Sequence, residues 1–267
     1  MTRTALVTGA SSGIGRATAA ALTVRGFRVL GTSRDPESLT ARQRADGVEY
    51  LRLDLASDDS VDALAGRLAE VDVLVNNAGE SHSGPFEELP GDALRRLFQV
   101  NVLGPVRLTQ LALPGMRERR YGRVVMVGSM LASFPLAYRS SYVATKAALR
   151  GFAEAARHEL SPYGVGVTTV EPGSINTGIS ERRTRDTASD SPHRRDFETM
   201  LAALDRNERA GVAPDRVAGV VVRAVEAARP KPHYAVGSNA PLVFGLRRML
   251  PATLVEKVVH RRHGLRR

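Results

Sequence analysis

The stretch Thr8-Gly9-Ala10-Ser11-Ser12-Gly13-Ile14-Gly15 decides how this chain is read. It follows the short apolar run 4–8 and opens an alanine-rich segment over 13–25 with helical periodicity, so it joins a first strand to a first helix. Glycines at 9, 13 and 15 let the backbone turn tightly and approach a ligand closely. The helix start then offers unpaired N–H groups and a positive dipole end, which together suit a pyrophosphate held by Ser11, Ser12 and Ile14. The spacing is G-x-x-x-G-x-G, not the G-x-G-x-x-G of the general dinucleotide fingerprint.

Outward from that turn, short apolar runs alternate with longer amphipathic segments, the pattern of repeated βαβ units. Strands are expected near 4–8, 27–32, 48–53, 71–75, 122–128, 165–171 and 233–236. Helices are expected near 13–25, 36–45, 58–69, 91–119, 140–162 and 214–228, the fourth interrupted around Gly104-Pro105, where proline removes a backbone donor. The fold class that follows is α/β: a Rossmann-type, doubly wound, mostly parallel seven-stranded sheet with helices on both faces. Residues 1–267 read as a single domain, with no interdomain linker.

Apolar residues make up 43% of the chain and aromatics 5%, which favours the aliphatic core of a parallel sheet covered on both sides. There is no cysteine, which excludes a disulfide framework, a thiolate nucleophile and a sulfur metal site. The six histidines are dispersed, and no metal site is expected. The first strand begins almost at the N-terminus, and no run approaches membrane-spanning length, so a cytoplasmic protein without a signal peptide is expected. The net charge of +10 comes almost wholly from scattered arginines that are not interleaved with aromatics, so no nucleic-acid partner is expected; an anionic cofactor or an anionic membrane surface is a better use for it.

The second expected strand ends in Ser33-Arg34. An acid there would bind a ribose 2′-hydroxyl, whereas a hydroxyl and a guanidinium suit a 2′-phosphate, so NADP(H) is favoured over NAD(H). Asp35 precedes Pro36 and reads as the cap of the next helix. Tyr142 and Lys146 stand four apart on one helical face. A free phenol titrates near about 10, and a cation about 4 Å away would lower that by up to about three units before burial opposes it. Ser129, past the apolar run 124–127, falls at the carboxyl edge of a strand, where open parallel sheets bind ligands. Asn101 falls where the helix over 91–119 is expected to bend, as a kink-stabilising amide or the holder of a relay water.

Together these residues resemble the short-chain dehydrogenase/reductase family over about residues 4–177. The signatures occur in the family's order: the glycine turn, Asp54-Leu55, Asn76-Asn77-Ala78-Gly79, Asn101, Ser129, Tyr142-x-x-x-Lys146, and Pro172-Gly173 followed by Thr177. The resemblance implies that Asn101, Ser129, Tyr142 and Lys146 form a catalytic tetrad. It places Asp54 and Leu55 at the adenine, Asn76, Ala78 and Gly79 along the cofactor cleft, Lys146 on the nicotinamide ribose, and Pro172, Gly173, Ile175 and Thr177 at the nicotinamide end. Asn101-Val102-Leu103-Gly104-Pro105, Glu171-Pro172-Gly173 and the tail around 234–251 are similar to the hydroxysteroid and retinol dehydrogenase branch, which implies a hydrophobic ketone or aldehyde and its alcohol. A homodimer or homotetramer is the family's expectation. An NADP(H)-binding redox regulator on the same fold is the alternative, though such proteins often lose the tyrosine or the lysine, and both are present.

Two segments break the rhythm. Residues 174–212 are polar and follow a strand end, which reads as a substrate lid whose arginines form a solvated face or, if they point inward, would suit an acidic substrate such as an acyl carrier or a carboxylated lipid. With Met130, Leu131 and Tyr138 it is expected to shape the substrate pocket. The extension 239–267 is amphipathic and basic, which suits a helix packed on the domain or on a second subunit; a peripheral membrane contact is the sharper use of the same pattern.

Overall fold

The computed structural model describes residues 2–179 and 181–265. Its main sheet comprises β1 (Thr4–Val7), β2 (Arg28–Ser33), β3 (Val48–Arg52), β4 (Val73–Asn76), β6 (Gly122–Val127), β7 (Val165–Pro172) and β9 (His233–Val236). They lie in the order β3-β2-β1-β4-β6-β7-β9, and every pair is parallel. A second, two-stranded sheet pairs β5 (His82–Ser83) with β8 (Thr184–Arg185). The helices are α1 (Gly13–Val24), α2 (Asp58–Asp62), α3 (Ala65–Leu68), α4 (Gly91–Phe98), α5 (Gly104–Glu118), α6 (Ser140–Leu160), α7 (Arg194–Arg209), α8 (Pro214–Glu226), α9 (Ala240–Met249) and α10 (Ala252–Arg262). This is the doubly wound architecture expected from the alternating pattern.

The strand pleat sorts the core into two layers. Leu6, Leu30, Leu74, Val124 and Met126 pack with Leu68, Leu108, Met116 and Leu149 from the helices of one face. Ala5, Val7, Val29, Val75 and Val125 turn the other way, onto Ala19 and Leu22 of α1 and Val217 and Val221 of α8. Strand order reverses between β1 and β4, so the chain ends leaving these two strands diverge and open a crevice above them. The Thr8 hydroxyl fixes this point, accepting the N–H groups of Asn77 and Ala78, each at 2.9 Å.

Three expectations need correction, and a fourth is given its detail. No helix forms over 36–45. Asp35 does accept the Ser38 N–H at 3.4 Å, but Arg44 then takes the carbonyls of Pro36 and Leu39, and the segment holds few apolar residues to bury, so it stays a run of turns. The helix over 58–69 is broken into α2 and α3. The interruption near Gly104-Pro105 is a π-helical turn, Gln99–Leu103, closed by the Gly104 N–H on the Gln99 carbonyl. Pro105 has no N–H for the carbonyl of Asn101 four residues back, and the wider turn absorbs that loss.

The third correction is the lid. It carries a sixteen-residue helix, α7, whose Phe197, Met200, Leu201 and Leu204 recur at helical spacing and pack with Leu136. Arg183 is not part of a solvated face. It is buried, and its guanidinium meets Asp205 at 2.6 Å and Glu208 at 2.7 Å. The tail forms α9 and α10, whose inner residues Val243, Phe244, Val255 and Val259 pack on Met130, Phe134 and Ala240. The tail arginines 266 and 267 lie outside the described residues.

Candidate active site

A cavity of about 890 Å³ runs along the carboxyl edge of the sheet, from the glycine turn to the space beneath the lid. At one end it is lined by Gly9, Ser11, Ser12, Gly13 and Ile14. Gly9 and Gly13 adopt φ of +66° and +50°, a region that favours glycine. Gly15 faces inward instead: an added Cβ would lie 2.2 Å from the Gly9 carbonyl oxygen, so this glycine lets α1 close against the turn and does not line the cavity. Ser12 occupies the cap position of α1, yet its hydroxyl makes no cap bond; it accepts a hydrogen bond from the lid residue Arg182 at 3.2 Å. The first N–H groups of α1 are therefore open to an anion.

Ser33 and Arg34 reach the same cavity, as do Leu53, Asp54 and Leu55. Ser33 is engaged locally with the backbone of Asp35, while Arg34 is exposed and makes no ion pair among the described residues. Ala78, Gly79, Pro172, Gly173, Ile175 and Thr177 complete this half. Asn76 does not belong to it. Its side chain points into the layer beneath, donating to Thr109 Oγ1 at 3.1 Å, and Asn77 lines the cleft in its place. Alternation along β4 makes these two neighbours face opposite ways, the detail that the motif alone does not resolve. This long groove, with glycines where side chains would obstruct it and free N–H groups at a helix start, fits a dinucleotide.

Ser129, Tyr142 and Lys146 converge on the wall beyond Gly79. Ser129 follows β6, and its oxygen accepts the Leu131 N–H at 3.2 Å, leaving its own proton to donate. The Ser129 side chain also acts on the Tyr142 phenol, favouring its ionised form. Tyr142 lies in the first turn of α6, and Lys146 one turn later donates from Nζ to the Val127 carbonyl at 3.0 Å. Asn101 does not line the cavity. Its amide clamps Glu80, accepting the N–H at 2.8 Å and donating to the carbonyl at 3.0 Å, and it also donates to Thr145 at 3.2 Å.

The electrostatics differ from the expectation. Burial holds the Tyr142 phenol above its ordinary value of 10, with Arg139 and Ser129 opposing that rise. Burial also pulls Lys146 down from 10.5 to about 8. The Lys146 Nζ lies 5.8 Å from the phenol ring centre, whereas the guanidinium carbon of Arg139, a residue that sequence reasoning missed, lies at 4.3 Å. Desolvation therefore outweighs the lysine's attraction at this site.

On the substrate side Met130, Leu131, Phe134, Leu204, Val243, Val258 and Val259 give the cavity an apolar wall, and Glu208, Arg262 and His263 line it as well. Tyr138 is not in it; with φ +64° its ring turns outward onto His193 and Phe197, at 5.9 and 5.8 Å between centroids. The C-terminal contributors were not identified from the sequence because only the return of α9 and α10 brings them here. Among the described residues, no cluster of His, Asp or Glu could hold a metal, and no helix is long and apolar enough to cross a membrane.

The family model described as short chain dehydrogenase matches residues 3–188. The chain belongs to the short-chain dehydrogenase/reductase family. A retinol dehydrogenase 8 of Bos taurus is 30% identical over 94% of this chain and 86% of its own. A 3-ketodihydrosphingosine reductase of Bacteroides thetaiotaomicron is 29% identical over 90% and 89%. A short-chain dehydrogenase from Streptomyces avermitilis superposes with TM-score 0.80 at 33% identity, covering 96% of this chain and 97% of that one. One from Sphingobium yanoikuyae in complex with NADPH gives 0.71 at 27%, covering 92% and 94%. As a short-chain dehydrogenase/reductase, this protein is an NAD(P)-dependent oxidoreductase acting on CH–OH groups.

Proposed function

We propose that this enzyme uses NADP(H) to interconvert a hydrophobic ketone or aldehyde and the corresponding alcohol. The observation that carries the reading is one cavity with the glycine turn and Arg34 at one end, and Ser129 and Tyr142 beside an apolar wall at the other. The groove's residues fit a dinucleotide, with Gly9, Ser12, Gly13 and the start of α1 for the pyrophosphate, Arg34 for a 2′-phosphate, and Thr177 and Lys146 toward the nicotinamide end. When bound, the cofactor supplies or accepts the hydride. Ser129 donates a hydrogen bond to the substrate oxygen, and Tyr142 gives its phenolic proton to that oxygen during reduction or takes it back during oxidation. Asn101 holds the Glu80 segment that closes the wall behind Lys146. Relatives named for retinol and 3-ketodihydrosphingosine support an apolar substrate.

The test is NADPH oxidation with a panel of apolar ketones. Tyr142→Phe is expected to lower turnover by roughly 10²–10⁴-fold while NADPH still binds. Full turnover in that variant would remove Tyr142 from the reaction.

The outward face of the tail has a use consistent with such a substrate. Leu242, Leu246, Met249, Leu250, Leu254 and Val258 are exposed, and Arg247, Arg248, Lys257, Arg261 and Arg262 stand among them with one acid, Glu256. Apolar side chains rimmed by cations suit an anionic lipid surface. Val258 both belongs to this face and lines the cavity, so a substrate held in lipid would meet the chamber mouth directly.

A further inference from the structure

Arg139 is 2% exposed and takes no part in the reaction as described above. Its Nη1 donates to Ser81 Oγ at 3.0 Å, the His82 carbonyl at 2.9 Å and Ser83 Oγ at 2.8 Å. That seat is held from behind by the lid, because the N–H groups of Thr184 and Asp186 donate to the carbonyls of Ser81 and Ser83, each at 3.0 Å. The guanidinium so fixed lies over the face of the Tyr142 ring and lines the cavity, while its Nε is buried without a partner among the described residues. Arg123 is the contrasting case. Its Nε is buried without a partner among the described residues as well, but its Nη1 and Nη2 donate to backbone carbonyls of Gly122, Gly164, Ala227 and Ala228, and it does not line the cavity.

We infer that Arg139 is a positioning residue for proton transfer: its buried guanidinium is a standing cation beside Tyr142 that stabilises the phenolate together with Lys146. A cation on a ring face attracts the ring's electron density, and the attraction strengthens when the phenol becomes an anion. The ammonium of Lys146 is farther away and is bound to the Val127 carbonyl. Burial brings Lys146 to about 8 and Arg139 to about 10, so the guanidinium keeps its charge to higher pH than the ammonium. The other groups around the phenol do not replace this charge. Arg183 is neutralised by Asp205 and Glu208, Arg185 shares Asp205, and Glu208 acts on Tyr142 in the opposite sense. His82 joins Ser141 at 2.9 Å and Asp186 at 2.6 Å, and Ser129 is uncharged.

The inference rests on Tyr142 being the proton-transfer group, and the experiment separates the two. Tyr142 ionisation is followed in the cofactor-free protein by phenolate difference absorbance, with Tyr142→Phe subtracted, and compared with the pH profile of alcohol oxidation. Arg139→Gln is expected to move both midpoints up by about one pH unit or more, and Arg139→Lys to restore at least half of the shift. A residue that merely braces the fold would give Gln and Lys variants equally impaired, with the Tyr142 midpoint unmoved. Should Arg139→Gln not fold, Ser81→Ala/Ser83→Ala unseats the guanidinium with its charge intact and is expected to raise the midpoint as well. An unmoved midpoint in whichever variant folds overturns the role of Arg139, even if Tyr142→Phe is inactive. A fully active Tyr142→Phe instead overturns the reading on which it rests.

Discussion

Arg34 shows how much one side chain can decide when nothing around it competes. It stands at the end of β2, lines the cavity and has no carboxylate partner among the described residues, and no acid occupies the position of Ser33. Replacing Arg34 with Glu would set a carboxylate against a 2′-phosphate, where like charges repel, while offering an acceptor to a ribose hydroxyl. The expected outcome is a rise in the NADPH dissociation constant of roughly tenfold or more, with NADH binding unchanged or tighter. Cofactor fluorescence titration measures both constants. Equal affinities for NADPH in the two proteins would show that Arg34 is a solvated strand-end arginine and that the cofactor preference lies elsewhere.

At the scale of elements, the tail helices answer two demands on opposite faces. In α9, Phe244 meets Phe134 edge-on at 5.1 Å between centroids, and Arg247 lies over that same Phe134 ring at 5.7 Å, while Leu242, Leu246 and Met249 follow one another along the outside. In α10, Val255 and Val259 face in, and Leu254 and Val258 face out. Leu246→Ser/Met249→Ser leaves the inner contacts intact and should lower sedimentation with vesicles containing phosphatidylserine by roughly tenfold, without altering turnover of a water-soluble carbonyl. Wild-type protein that ignores anionic vesicles but dimerises through α9 and α10, as read by light scattering on the same pair of proteins, would assign this face to a second copy of the chain.

The whole molecule carries a cost for its site that a pH scan can read. Lys146 titrates near 10.5 unfolded and about 8 folded. Below about pH 8 both states hold the proton, and the folded state bears the full burden of a buried ammonium. Between about 8 and 10.5 the unfolded chain binds more protons, so this group's contribution to stability improves as pH rises. The shift corresponds to at most about 3–4 kcal/mol. Lys146→Met should therefore raise the melting temperature at pH 7 by several degrees while abolishing turnover, and should flatten the rise between pH 8 and 10.5. Calorimetry across that range checks it. A variant less stable than wild type at pH 7 would mean that the hydrogen bond to Val127 outweighs desolvation.

How much was legible in the sequence follows from the range over which each force acts. The glycine turn, the alternation of apolar runs with amphipathic segments, Arg34 at a strand end and the Tyr142–Lys146 spacing are local, and the chain's own periodicity set them before any packing occurred. The helix α7 was also written locally, in Phe197, Met200, Leu201 and Leu204, but the charge of the surrounding segment hid it. Only the tertiary structure decided that Asn76 turns away from the cleft and Asn77 toward it, that α9 and α10 return to wall the chamber, and that Arg139 faces Tyr142 more closely than Lys146 does. Those outcomes depend on which side of a pleat or helix is covered, and on how far burial strips water from a charge. Residues distant along the chain settle both, and no local pattern encodes them.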